Sequence, residues 1–148
     1  MGFQISNGGI VMKCRELMVN DWVANQYGTP IQIYSTGDNG AYANTGDTLW
    51  VFEDNEYKPQ PIEITGNILK ENKWEVQGYT LLPSEHYYVK DEGGNHLLWN
   101  NGTLFIWFDH EKDNNRVYDI LVPVKYVHQL QQVLRIAGLT DMANNFKI

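Results

Sequence analysis

The chain has 148 residues, of which 43% are hydrophobic and 13% aromatic, so it can build the core of a domain and is not disordered. Its net charge is −7, and the whole excess comes from residues 16–57, where seven acidic side chains occur without a Lys or Arg. A segment of this charge repels phosphates, which disfavours nucleic-acid binding by the first half of the chain.

The first half of the chain is predicted to be a loose leader followed by short strands. Residues 1–15 begin Gly-rich and are predicted to form a flexible leader. Residues 16–64 contain a turn at 27–30, then Ile31 and Ile33 alternating with polar positions, and a further strand at 49–52. Short strands joined by tight turns predict a small SH3-like β-barrel for residues 16–64.

The second half, residues 65–148, is predicted to be an α+β segment. Thr65 is placed to cap a short connecting helix. Strands are predicted near residues 87–90, 96–99, 103–108 and 117–121, separated by turn-forming Gly, Asn and Asp residues, and together they predict an antiparallel meander. The two segments are predicted either as separate domains or as one continuous compact domain.

After Pro123 the apolar positions repeat at helical spacing. Val127, Leu130 and Leu134 lie about one turn apart, and Gly138 is a suitable C-terminal cap. They predict an amphipathic helix of about 15 residues that packs on one face of the meander. The predicted fold class is therefore α+β. No apolar stretch reaches the ~20 residues needed to span a bilayer, so no membrane contact is expected.

This helix carries an unusual polar cluster beside its apolar stripe. His128, Gln129 and Gln132 lie close together on one edge of the stripe, together with Gln131. One interpretation is a polar surface that contacts a partner. The other is a buried set of side chains that bonds to the backbone of the meander.

Residues 125–131, with the sequence KYVHQLQ, resemble a motif in a family of short uncharacterised proteins from anaerobic gut bacteria and their prophages and mobile elements. The same family also resembles this chain at Glu16-Leu17, at Asp21-Trp22-Val23 and at PIEIT, residues 61–65. The resemblance implies a shared fold and a phage or mobile-element setting. It implies no activity, because the family has none assigned.

Familiar catalytic and cofactor motifs are missing from the sequence, so neither a catalytic residue nor a cofactor is predicted. There is no GxSxG, P-loop, GxGxxG or HExxH pattern. His86, His96 and His110 match no compact zinc spacing, and no metal site is predicted.

Cys14 lies between two basic residues but has no base placed to activate it. As a single cysteine it favours a reducing, cytoplasmic location. The loop at residues 36–48 is predicted to be a surface loop, since it lacks the ligand spacing of a calcium site.

Three functions are open at this point. The leading hypothesis is a noncatalytic binding or accessory module that contacts a protein partner through exposed aromatics, such as Trp22 and Trp50, or through the acidic first half. The alternative is a small nucleic-acid-binding barrel, which electrostatics oppose. The third is an enzyme acting on a small polar metabolite.

Overall fold

A computed structural model describes residues 4–6, 9–11, 13–38, 40–45, 48–53, 58–77, 86–108 and 120–148. The chain forms two compact units. Unit 1 comprises residues 1–63, 126–146 and 148, and unit 2 comprises residues 64–125 and 147. Antiparallel sheets and short helices confirm the predicted α+β class. No helix in the described part of the chain is long and apolar enough to cross a membrane.

Unit 1 contains a short hairpin and a four-stranded antiparallel sheet. The hairpin pairs β1 (Gln4–Ser6) with β2 (Gly9–Val11). The sheet has the order β3-β4-β5-β6, and its strands are β3 (Trp22–Ala24), β4 (Pro30–Gly37), β5 (Gly40–Thr45) and β6 (Thr48–Phe52). Within the described residues this sheet does not close on itself, so the SH3-like barrel stays a prediction.

The turn between β3 and β4 is determined by Asn25, whose side chain is buried. Its Oδ1 accepts hydrogen bonds from the backbone N–H groups of Tyr27 and Thr29, at 2.9 and 3.0 Å. Gly28 has a φ of +80°, a conformation that residues with a Cβ rarely adopt. The predicted turn at residues 27–30 is therefore held by a side chain that precedes it.

One face of this sheet forms the core of unit 1. Ile31 and Ile33 of β4 pack there together with a 3-10 helix, Cys14–Glu16. The other core members are apolar side chains spread along the first segment of the unit: Cys14, Leu17, Val23, Ala41, Ala43 and Phe52. The sequence predicts a flexible leader through residue 15, whereas Cys14 lies in this core.

Unit 2 is built on a five-stranded antiparallel sheet of order β11-β10-β9-β8-β7. Its strands are β7 (Glu75–Gln77), β8 (His86–Lys90), β9 (Asn95–Asn100), β10 (Thr103–Phe108) and β11 (Ile120–Pro123). Helix α1 (Gly66–Glu71) begins where Thr65 Oγ1 accepts a hydrogen bond from Ile68 N–H, as its sequence position predicts. The turn predicted between the strands at residues 103–108 and 117–121 lies outside the described residues.

The C-terminal helices belong to unit 1. Helix α2 (Val127–Ile136) packs against β3 and against α3 (Thr140–Asn144), which corrects the prediction that it packs on the meander. The stripe of Val127, Leu130 and Leu134 is buried as its spacing indicates. Periodicity identifies the buried side of a helix but not the surface that covers it. The helix is also shorter than predicted, since Tyr126 is still extended and pairs with Glu63.

Candidate functional site

The outer edge of β3, which has no neighbouring strand in the sheet, is covered by a side chain of α2. Trp22 N–H donates to Gln131 Oε1 at 2.8 Å, and Gln131 Nε2 donates to Asn20 O at 2.7 Å and to Ala143 O at 3.0 Å. The Gln131 amide thus pairs with the strand as a backbone peptide would. Two residues further on, Ala24 exchanges backbone hydrogen bonds with Gln60, which covers the next outward-facing groups. We call this region the β3 edge.

Beside the β3 edge lies a buried ion pair. Asp21, which has no exposed surface, accepts from Arg135 Nη1 at 2.6 Å through Oδ1. Its Oδ2 accepts from Met18 N–H and from Gln132 Nε2, both at 2.8 Å. Burial raises the pKa of Asp21, and the hydrogen bonds from Arg135, Gln132 and Met18 oppose that increase. Each oxygen of this carboxyl group therefore has a donor.

The predicted contact residues on α2 take part in contacts within unit 1. Gln129 Oε1 accepts from Tyr126 N–H at 3.2 Å and so caps the helix start, while Gln132 also donates to Glu16 O at 2.8 Å. His128 is only 2% exposed and offers almost no surface. The buried interpretation of this cluster predicts bonds to the meander backbone; the amides of Gln131 and Gln132 instead bond to the backbone of unit 1.

The two predicted tryptophans lie at different places in unit 1. Trp22 belongs to the β3 edge, and its indole N–H donates to Phe146 O at 2.7 Å. Trp50 packs against the core of unit 1, and its ring lies 6.2 Å from that of Tyr27, which is 77% exposed. The structure brings Trp22 close to the polar cluster of α2. That these residues contact a partner stays a prediction.

His128 makes the stability of the protein depend on pH. Burial lowers the pKa of its imidazole from 6.5 to about 4. The unfolded chain takes up a proton at His128 near pH 6.5, and the folded protein does not. The stability that the neutral His128 contributes is therefore complete above pH 6.5 and is lost as pH falls toward 4. We expect the free energy of unfolding to fall by about 3 kcal/mol over this window.

Urea unfolding at several pH values between 7 and 4 measures this effect. The difference between the wild type and His128→Phe isolates it, because contributions from other titrating groups cancel in the comparison. We expect the wild type to lose more stability on acidification than the variant. Parallel pH profiles for the two proteins would contradict the assignment.

An open cleft of about 440 Å³ lies in unit 1 next to the ion pair. It is lined by residues 17–20, Thr36, Arg135, Thr140 and Asn144. Its volume is in the range of ligand-binding pockets, and it combines apolar side chains with hydroxyl, amide and guanidinium groups. Sequence reasoning missed this site because Arg135 and Asn144 have no distinguishing pattern and meet residues 17–20 only in the fold.

A second candidate surface is one side of the sheet in unit 2. Strand register aligns Tyr88, Leu98, Phe105 and Leu121 in one row across β8 to β11, and His96 beside Trp107 in the next row. We call these six residues the aromatic face. Five are partly exposed and Leu121 is 62% exposed, whereas Leu97, Leu104 and Ile106 on the opposite side are buried.

The rings of the aromatic face are packed against one another. The His96 and Trp107 rings are nearly parallel, with centroids 5.0 Å apart, and Tyr88 Oη lies 2.6 Å from His96 Nδ1. Tyr88 also stacks on His96 at 5.9 Å. The facing sides of the His96 and Trp107 rings are used within this stack, and the aliphatic Leu98 and Leu121 supply further surface for contact.

The contacts of the described residues give no support for a metal site or for a catalytic nucleophile. Within the described ranges, no three His, Cys, Asp or Glu side chains are grouped so as to hold a metal ion. His96 hydrogen-bonds to Tyr88, and Cys14 is buried. His110 and the acidic residues beside it, like Asp47 of the predicted surface loop, lie outside the described residues. The predictions of no metal and no catalytic residue stay predictions.

No family model, curated protein or solved structure matches the chain.

Proposed function

We propose that the protein is a noncatalytic module that binds a basic partner protein through the aromatic face. The observation that carries this proposal is the row of Tyr88, Leu98, Phe105 and Leu121, which lies on the side of the sheet opposite to its buried residues. Aromatic and apolar side chains grouped in this way are typical of protein interfaces.

Charge favours a basic partner over a second copy of the chain. The net charge of −7, whose excess comes from residues 16–57, makes two copies repel each other and attracts a positively charged protein over long range, before any contact at the aromatic face. The same charge opposes nucleic acid, which is the alternative function. In the described part of the two rows, Lys90 is the one cation, which is too little positive charge to neutralise several phosphates.

The setting we propose is the cytoplasm of a bacterium that carries a phage or mobile element. Its support is the resemblance of residues 125–131 to the family described above and the single cysteine. The SH3-like assignment of residues 16–64 belongs to the same proposal and rests on their strand and turn pattern.

Affinity capture from a lysate of the native host, followed by calorimetric titration of the captured protein, tests this function. Leu121→Lys places a positive charge at the β11 end of the aromatic face, on its most exposed side chain, and should weaken binding of a basic partner by about tenfold or more. The matched control is Ile136→Lys, which makes the same kind of change at an aliphatic side chain 83% exposed on α2. Binding weakened equally by both variants, or capture of no specific protein, would contradict the proposal.

A further inference from the structure

Arg135, which lines the cleft of unit 1, has an unused hydrogen-bond donor. Arg135 Nη1 donates to Asp21, and its Nε lies 3.4 Å from Asn144 Oδ1. Its Nη2 is buried and has no acceptor among the described residues. A buried guanidinium N–H without a partner is costly, so an acceptor that supplies the missing bond gains affinity from it.

The charge at this position selects the kind of acceptor. Asp21 already neutralises Arg135, and the two charges are buried together. A carboxylate or phosphate bound at Nη2 would add an uncompensated negative charge close to Asp21 in a poorly solvated site. A carbonyl oxygen accepts the same hydrogen bond without adding charge. The donor therefore favours a neutral oxygen.

The remaining lining of the cleft suits a peptide. Met18 and Val19 are 45% and 44% exposed and offer apolar contact, while Thr36 and Thr140 add hydroxyl groups. Peptides present a neutral carbonyl next to a side chain, and methionine adapts its shape to different ligands. We infer that this cleft binds an uncharged, extended peptide segment, with an apolar side chain against Met18 and Val19 and a backbone carbonyl on Arg135.

Binding requires a small rearrangement. Because Nη2 has almost no accessible surface in the free protein, a lining side chain must move before a carbonyl reaches it. Among the apolar lining side chains, Met18 has the most rotatable bonds, and it is 45% exposed, so it can move at low cost. This site lies in unit 1 and does not depend on the function proposed for the aromatic face.

A pair of small probes tests the inference by NMR titration of the full chain. N-acetyl-leucine methylamide and N-acetyl-leucine share a side chain and an acetyl group, but the second ends in a carboxylate. We expect the neutral probe to shift the amide signals of Met18, Val19, Thr36 and Thr140 and the guanidinium signals of Arg135. The carboxylate should bind about tenfold more weakly or not at all.

Matched valine variants show whether the binding is at the cleft. Val19→Asn removes apolar contact from the lining and should weaken the neutral probe about fourfold. Val76→Asn makes the same change in unit 2 at a valine 41% exposed and should leave binding unchanged. Both positions are exposed, so both variants are expected to fold. Stronger binding of the carboxylate would overturn the ligand class, and no shifts with either probe, or equal effects of the two variants, would overturn the site.

Discussion

Gln131→Leu should lower the free energy of unfolding by about 3 kcal/mol, although leucine fills a similar volume. The reason is the β3 edge, where the Gln131 amide accepts from Trp22 N–H and donates to Asn20 O and Ala143 O. Gln32 also donates to Asn20 O, so that carbonyl keeps a partner in the variant. The Trp22 N–H does not, and the desolvation of this donor is the largest part of the loss.

Gln60→Leu is the control for this prediction. Gln60 has an exposed side chain, and its contacts with Ala24 use only the backbone. The same substitution there should change stability by less than about 0.5 kcal/mol. Urea denaturation of the three proteins measures both effects. Equal stabilities of Gln131→Leu and the wild type would show that the amide of Gln131 does not hold the strand.

Arg135→Met should cost about 4 kcal/mol at neutral pH. The variant leaves Asp21 with no exposed surface and without its cation, while methionine keeps the apolar part of the side chain. With the arginine gone, only the hydrogen bonds from Gln132 and Met18 oppose the effect of burial, so the pKa of Asp21 rises further above its unfolded value of 3.8. The folded variant then takes up a proton as pH falls, so its loss of stability should shrink between pH 7 and pH 4.

Thermal and urea unfolding of Arg135→Met at both pH values checks this result. Lys147→Met removes an exposed cation and should have a small effect at either pH. Arg135→Lys retains the charge but not the fork of donors, and its loss should lie between the two. A loss that is independent of pH would mean that Asp21 is not the group responsible.

Local patterns predicted much of the secondary structure. Thr65 marks a helix start, alternation around Ile31 and Ile33 marks a strand, and the stripe of Val127, Leu130 and Leu134 marks a buried helix side. Each of these signals depends on neighbours within about one turn or one strand of the chain.

The surface against which α2 packs depends on contacts between residues that are far apart in the chain. Gln131 bonds to Trp22, 109 residues earlier in the chain, and Arg135 bonds to Asp21, 114 residues earlier. Nothing in the spacing of a single sequence pairs these positions. The same limit applies to the cleft, whose lining comes from two segments. It also explains why spacing alone left open whether the amides of Gln131 and Gln132 face a partner or bond within the fold.

Unit 1 is built from two segments that are far apart in the chain, and this affects its folding during synthesis. Residue 131 is synthesised 68 residues after residue 63, which at about 5–20 residues per second takes roughly 3 to 14 s. During that interval the backbone of Trp22 has no glutamine amide to pair with, and an uncovered strand edge is open to pairing with another chain. The nascent protein is therefore most exposed to aggregation before residues 126–146 are available, and a ribosome-bound chaperone acting in that interval would raise the yield of folded protein.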